Sequence, residues 1–442
     1  MEGAEDTEVS LELPSLVRIY KSGRVERLKG NDVVPASGDS PSGVSSKDVT
    51  ISPDVSARLF LPKVVDSGKK LPVLLYIHGG GFVIETPFSP TYHDYVGSLA
   101  AAANVVAVSV HYRLAPEHPL PAAYEDSWSA LQWVASHAEG GGPEHWLTDH
   151  GDFKKIFMAG DSAGGNIIHD LAIRAGEEGA LKAGVVEVVG SILIHPFFWG
   201  THENEPKDEP EDVAGAWMKT FWKLVCPNST VSDNLYTNPL AVEHSRLAWL
   251  AGKRVLVCLA ERDFLTVWGR MYHDRLASSG YKGTVEILET KEEGHVFHLF
   301  NPDCENAREM LKRVVDFINL AFNLRTKNDA EEKTFSGAGE ELSSGITVVT
   351  ETKAKANEGE EIERWPHNRR RRKGRRWLSI ATEVATIADR RGSTVTRGGR
   401  ISPACSGSRS AQHSSSWSRS PIPTPAPLIK LTSQLTSFRV EP

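Results

Sequence analysis

No run of about 18 apolar residues occurs anywhere in the 442-residue chain, which argues against a membrane-spanning helix. Cysteine is scarce. Cys226, Cys258, Cys304 and Cys405 stand apart with no C-x-x-C pair, which argues against both a disulfide framework and a zinc site. Cys258 lies inside an apolar run and reads as a buried small hydrophobe. The opening stretch, Met1 to Ser10, is acidic and lacks the basic and apolar regions of a secretory signal, so a cytoplasmic protein without a membrane partner is expected.

The chain is long enough for a large core, and its formal charge of −7 is unevenly spread. Residues 1–325 hold 30 Lys+Arg against 44 Asp+Glu, a net −14, while 326–442 hold 20 against 13, a net +7. The second part has no apolar periodicity, is rich in Ser, Gly, Glu and Arg, and is expected to be a disordered basic tail. Its run Arg369 to Arg376 fits either a nuclear-import or nucleic-acid patch or a solvated charge run on an unrelated extension. No nucleic-acid partner is expected for the folded part.

From Leu71 onward apolar runs alternate with helical patterns, the signature of a mostly parallel central sheet flanked by helices. Strands are expected at 71–77, 105–110, 154–160, 188–196, 254–260 and 285–289, and helices at 122–137, 163–176, about 266–279 and about 303–323. The segment 57–62 fits an antiparallel edge strand. The first fifty residues and the Pro-punctuated insertion 200–240 fall outside the alternation and are expected to form a helical cap over the sheet's carboxyl edge, where α/β folds bind ligands. Trp217, Phe221 and Trp222 in that insertion fit equally a pocket wall or packing of the cap onto the sheet.

Gly160-Asp161-Ser162-Ala163-Gly164 matches G-x-S-x-G, a strand-to-helix turn so sharp that only small residues two positions from the serine avoid a clash. The bare pattern is weak. Its context is specific, because KIFMAG enters as a strand and NIIHDLAI leaves as a helix whose amino end favours developing negative charge. Upstream, His78-Gly79-Gly80-Gly81-Phe82 closes the first long strand. Its glycines let backbone N–H groups converge, with the amide of Ala163, on one oxyanion. The base must follow the serine in chain order, and His295 sits on a loop before the last helix; His298, flanked by apolar residues, reads as a packing histidine. Asp263, on the loop after the strand RVLVCLA, is placed to orient the base, ahead of Glu261 at the strand's end. These residues predict nucleophilic attack of Ser162 on an ester carbonyl.

With these residues, the chain from about Leu13 to Leu324 resembles the plant carboxylesterases of the hormone-sensitive-lipase branch of the α/β-hydrolases. The resemblance rests on HGGGF at 78–82, YRLAPEHPLPAAYED at 112–126, GDSAGGNI at 160–167, HPFFWG at 195–200, AERDFL at 260–265 and GHVFH at 294–298. It implies an α/β-hydrolase fold and hydrolysis of a small-molecule ester in the cytosol, with no cofactor and no metal. It also implies a Ser162, Asp263 and His295 triad, and an oxyanion hole of Gly80, Gly81 and Ala163 carried on a loop with Gly79 and His78. Asp161 is expected to bond backbone near that loop and hold its shape. Relatives in the same family set alternatives: hydroxyisoflavanone dehydratases eliminate water, some tuliposide-converting enzymes transfer an acyl group internally, and gibberellin receptors bind hormone after losing the catalytic histidine. The presence of His295 argues against the last.

Overall fold

The computed structural model describes residues 7–336, apart from 39–42, 64–67, 178–180, 182–183, 201–212, 231–233, 240 and 242. The basic run at 369–376 and Cys405 lie outside the described residues.

The amino-terminal stretch is sheet where helix is expected. Strands β1 (Val9–Leu13), β2 (Val17–Tyr20) and β3 (Val25–Arg27) form a small antiparallel sheet of their own. The reason is local: the segment turns back on itself twice within 19 residues, and two of the turns' residues, Ser15 and Gly23, take positive φ. Along β1, Leu11 and Leu13 are the more buried residues and Ser10 and Glu12 are exposed, a period of two rather than of 3.6.

The main sheet uses β4 (Val44–Thr50), β5 (Ser56–Pro62), β6 (Leu71–Ile77), β7 (Val106–His111), β8 (Gly151–Asp161), β9 (Val188–Ile194), β10 (Arg254–Ala260) and β11 (Thr284–Thr290), in the order β11-β10-β9-β8-β6-β7-β5-β4. The six strands from β11 to β7 are parallel, and β5 is antiparallel to both neighbours. The segment 57–62 is therefore antiparallel as expected but not the edge. Strand β4 covers it, and Arg58, 1% exposed, forks onto both carboxylate oxygens of Asp48 at 2.7 and 2.9 Å to stitch the two together.

Helices α1 (Pro90–Ala103), α2 (Ala122–Ser136), α3 (His145–His150), α4 (Ala163–Glu177), α5 (Val213–Val225), α6 (His244–Leu247), α7 (Thr266–Ser278), α8 (Phe297–Phe300) and α9 (Glu305–Ser336), with a short 3-10 turn at Ala138–Gly140, complete the described elements. Successive residues of β6 point to opposite faces, so Val73, Leu75 and Ile77 join one core with Leu131 of α2, Ile167 of α4 and Tyr272 of α7, while Leu74 and Tyr76 join the other with Val96 of α1 and Phe317 of α9. Cys258 is buried in β10. Helix α5 falls within the insertion expected as cap. Helix α9 continues past residue 325 to Ser336. Among the described residues, no helix is long and apolar enough to cross a membrane.

Candidate active site

The elbow is built as its pattern requires. Strand β8 ends at Asp161 and α4 starts at Ala163, which leaves Ser162 alone at the turn with φ 51°, a left-handed conformation unusual for a serine. A side chain at Gly164 would collide with the carbonyl oxygen of Ile77, so α4 packs directly on the end of β6. The Ser162 N–H donates to the Ile194 carbonyl at 2.9 Å, and its own carbonyl accepts from Phe197 and Asn166, so the strained residue is fixed on both sides.

His295 stands between Ser162 and Asp263. Its Nε2 lies 2.9 Å from Ser162 Oγ, and its Nδ1 lies 2.7 Å from Asp263 Oδ2. Ser162 and Asp263 are buried, while 22% of the His295 side chain stays exposed. The second Asp263 oxygen accepts from the Leu265 N–H at 2.9 Å. Burial opposes the Asp263 charge, but the His295 ring and this amide outweigh it and hold the carboxyl below its usual range. For His295 burial opposes the cation, yet the Asp263 and Asp161 carboxylates prevail and raise it above an ordinary imidazole.

The competing residues fall elsewhere. Glu261 accepts from the Glu292 N–H at 2.9 Å and pairs with Lys291, facing solvent. His298 is buried edge-on to Tyr95 with ring centroids 4.8 Å apart, and burial pushes it down to about 3, so it is a packing residue.

In the glycine loop Gly79 has the supporting role expected of it, while Asp161 departs from expectation. Gly79 N–H donates to the Tyr92 hydroxyl at 2.8 Å, so this amide is committed to structure rather than open to an oxyanion. Asp161 does not reach loop backbone directly; it accepts from the Tyr76 and Tyr92 hydroxyls, both at 2.8 Å, and Tyr92 passes the support on to Gly79. Burial lifts Asp161 to about 6 despite those two bonds. His78 stacks on Tyr112 at 4.3 Å, and the Tyr112 hydroxyl donates to the His78 carbonyl at 3.0 Å. Gly80 carries its carbonyl into a turn that accepts from Val83 and Ile84. Gly81 takes φ 61°, and a Cβ there would sit 2.9 Å from Phe221 Cζ, so α5 packs onto the loop through Phe221. Phe221 in turn stacks on Trp217 at 5.0 Å and 8°, and Phe221 and Trp222 are both buried in the core. The three cap aromatics thus pack the insertion onto the rest of the fold, one of the two expected roles.

Tyr76 and Tyr92 escape a reading of the sequence, and His195 enters it only as part of the HPFFWG motif; Tyr112, which opens the YRLAPEHPLPAAYED motif, has a structural role under the loop. One signal was available: LPVLLYI is buried on every residue, and a tyrosine in such a strand must find a partner for its hydroxyl. As for metals, His195, Asp263 and His295 offer donor atoms within 4.8 Å of one another, but both His295 nitrogens and both Asp263 oxygens are already engaged in hydrogen bonds. A cavity of about 570 Å³ farther along α4, lined by Asn166, His169, Asp170, Tyr236 and Arg246, includes none of Ser162, Asp263 and His295.

A family model described as the α/β-hydrolase fold matches residues 74–299. Probable carboxylesterase 7 of Arabidopsis thaliana is 47% identical over 320 residues, 71% of this chain and 99% of its own. Tuliposide A-converting enzyme b2, amyloplastic, of Tulipa gesneriana is 46% identical over 318 residues, 71% of this chain and 81% of its own. Among solved structures, a thermostable esterase from Pseudomonas putida superposes with a TM-score of 0.53 at 25% identity, covering 64% of this chain and 85% of that one. The chain belongs to the α/β-hydrolase family, in its branch of plant carboxylesterases related to hormone-sensitive lipase.

Proposed function

We propose that this serine carboxylic ester hydrolase acts on small esters through a Ser162–His295–Asp263 triad and an acyl-enzyme intermediate. The observation that carries the proposal is the unbroken relay of 2.9 and 2.7 Å hydrogen bonds from Ser162 Oγ through His295 to Asp263. Asp263 holds the His295 proton on Nδ1, which leaves Nε2 free to take the Ser162 proton as Oγ attacks the carbonyl. The amides of Gly80, Gly81 and Ala163 receive the oxyanion, and losing one such donor typically costs about 3 kcal/mol in the transition state. His295 then gives its Nε2 proton to the departing alkoxide. Water, deprotonated by the same nitrogen, attacks the acyl-enzyme and releases the acid and Ser162.

Ser162→Ala tests this. It is expected to abolish both turnover and the burst of p-nitrophenol from p-nitrophenyl butyrate; a burst of wild-type size from the variant overturns the triad. A second outcome at the same intermediate has a hydroxyl of the substrate itself replace water, the alternative that the family resemblance gives for some tuliposide-converting enzymes, and a tuliposide A-converting enzyme is 46% identical to this chain. Product analysis of a polyol ester separates the two, since internal transfer gives an isomer or lactone with no free acid. For the compartment, we place the enzyme in the cytoplasm, with the amyloplastic tulip relative marking the organelle alternative. Imaging of a carboxyl-terminal fluorescent fusion decides between them.

A further inference from the structure

We infer that His195 is a positioning residue for the base: its neutral ring accepts the Val296 N–H and thereby holds His295 in line between Ser162 and Asp263. This rests on the triad reading above.

His195 follows the end of β9 and is 1% exposed. Its N–H donates to the Cys258 carbonyl at 2.8 Å, which ties it to β10, the strand that leads to Asp263. Its flanking residues hold the elbow, because the Ile194 carbonyl accepts from Ser162 and the Phe197 N–H donates to Ser162. One short segment therefore touches the nucleophile through backbone and the base's loop through a side chain.

The link to the base is specific. Val296 N–H donates to His195 Nδ1 at 3.0 Å, across 101 residues of sequence. Val296 takes φ 46°, a conformation that a β-branched residue adopts only when its surroundings impose it. It is the residue directly after His295, so its backbone angles aim the preceding ring. An N–H donor at Nδ1 requires that nitrogen to be bare, which fixes His195 as the neutral tautomer with its hydrogen on Nε2. Nε2 has no hydrogen-bond partner among the described residues. The titratable groups around the ring are Asp263, His295 and His298, and burial keeps His195 well below an ordinary imidazole. A protonated His195 would lose the Val296 bond and set a second cation beside Asp263, so neutrality is part of the arrangement.

His195→Phe keeps a ring and removes the acceptor, while His195→Asn returns an acceptor oxygen near the position of Nδ1. The phenylalanine variant is expected to lose about 10- to 100-fold in kcat, with KM changed less than about threefold, because a small misplacement of a reacting group costs rate rather than binding. The acidic limb of its kcat/KM profile is expected to move to lower pH, since a His295 less firmly held by Asp263 is less basic. The asparagine variant is expected to recover most of both. A phenylalanine variant that keeps wild-type kcat, or a loss that leaves the acidic limb in place and is not relieved by asparagine, overturns the inference. Should that variant fail to fold, ¹⁵N spectra of histidine-labelled wild type carry the test: a His195 with hydrogen on Nδ1 overturns it, and a bare Nδ1 from about pH 5 to about pH 9 supports it. Ser162→Ala in the same assay keeps the two readings apart. If that variant turns over, the triad fails; if it is silent while His195→Phe runs at full rate, only the role of His195 fails.

Discussion

The glycine loop after β6 and the histidine loop before α8 both lie against the Asp161–Ser162 elbow, yet they are held by different chemistry. Beneath the glycine loop is a buried network of phenols on one carboxylate: Tyr76 and Tyr92 on Asp161, Tyr92 on Gly79, and Tyr112 on the His78 carbonyl. The histidine loop is held by its own backbone, with Val296 N–H on His195 and Glu293 carbonyl on the Arg262 N–H, so that the His295 ring bonds only its two partners in the relay. On the proposed mechanism, a loop that stabilises charge benefits from rigidity in every atom, whereas a base that shuttles a proton needs a fixed backbone and a ring whose nitrogens bond the relay alone.

The comparison breaks most sharply at Asp263. Asp263→Asn keeps the shape but offers an N–H where an acceptor is needed, and kcat is expected to fall by about 10⁴-fold with the fold intact. A drop of less than about tenfold would mean that the histidine loop orients the ring without its carboxylate. The next largest effect belongs to Tyr92→Phe, which strips Gly79 of its acceptor and Asp161 of a donor. A loss of about 1–3 kcal/mol in stability and about tenfold in kcat is expected, measured by urea denaturation and steady-state kinetics. If kcat holds while stability falls, the phenol network supports the sheet rather than the oxyanion donors.

The asymmetry also explains what the sequence makes legible. Ser162, His295 and Asp263 are readable because each sits on a short local signal at a strand end, and the elbow's glycines answer to sterics within a few residues. Tyr76 meets Asp161 across 85 residues and His195 meets Val296 across 101, and no local pattern announces such pairs. The support of the glycine loop is hidden for the same reason: Asp161 is adjacent to the serine in sequence, but its two bonds go to tyrosines on β6 and α1. The amino-terminal strands differ, because their alternation of apolar and polar residues is present in the sequence but runs over only five and four residues, too short to stand out from a helical period.

Asp161 tests the network by charge alone. Its folded value of about 6 lies above the ordinary 3.8, so the folded state holds more protons than the unfolded one between these values. That contribution is fully present below about pH 4 and is lost as pH rises through about 6. Asp161→Asn removes the slope, so its stability relative to wild type is expected to improve from about pH 4 to about pH 7 by at most about 3 kcal/mol. The same substitution deletes a carboxylate that raises His295, and the acidic limb of kcat/KM is expected to shift to lower pH. A limb that stays in place would leave Asp263 as the whole cause of the raised histidine.

The smallest effect is expected where the glycine loop is held from above rather than beneath. Arg27, at the end of β3, donates to the Val83 carbonyl at 2.7 Å and to the Ala115 carbonyl at 3.3 Å, and forks onto Glu117 at 2.8 and 2.7 Å. It is a direct polar link from the amino-terminal sheet to the stretch just past Gly81, but Glu117 is 41% exposed, and an ion pair open to water contributes little. Arg27→Ala is therefore expected to cost about 1 kcal/mol in stability and less than about threefold in kcat, by the same denaturation and kinetic measurements. A loss in kcat equal to that of Tyr92→Phe would mean that the amino-terminal sheet sets the oxyanion geometry as strongly as the phenols do. The division between a loop pinned from beneath and a covering that merely rests on it would then fail.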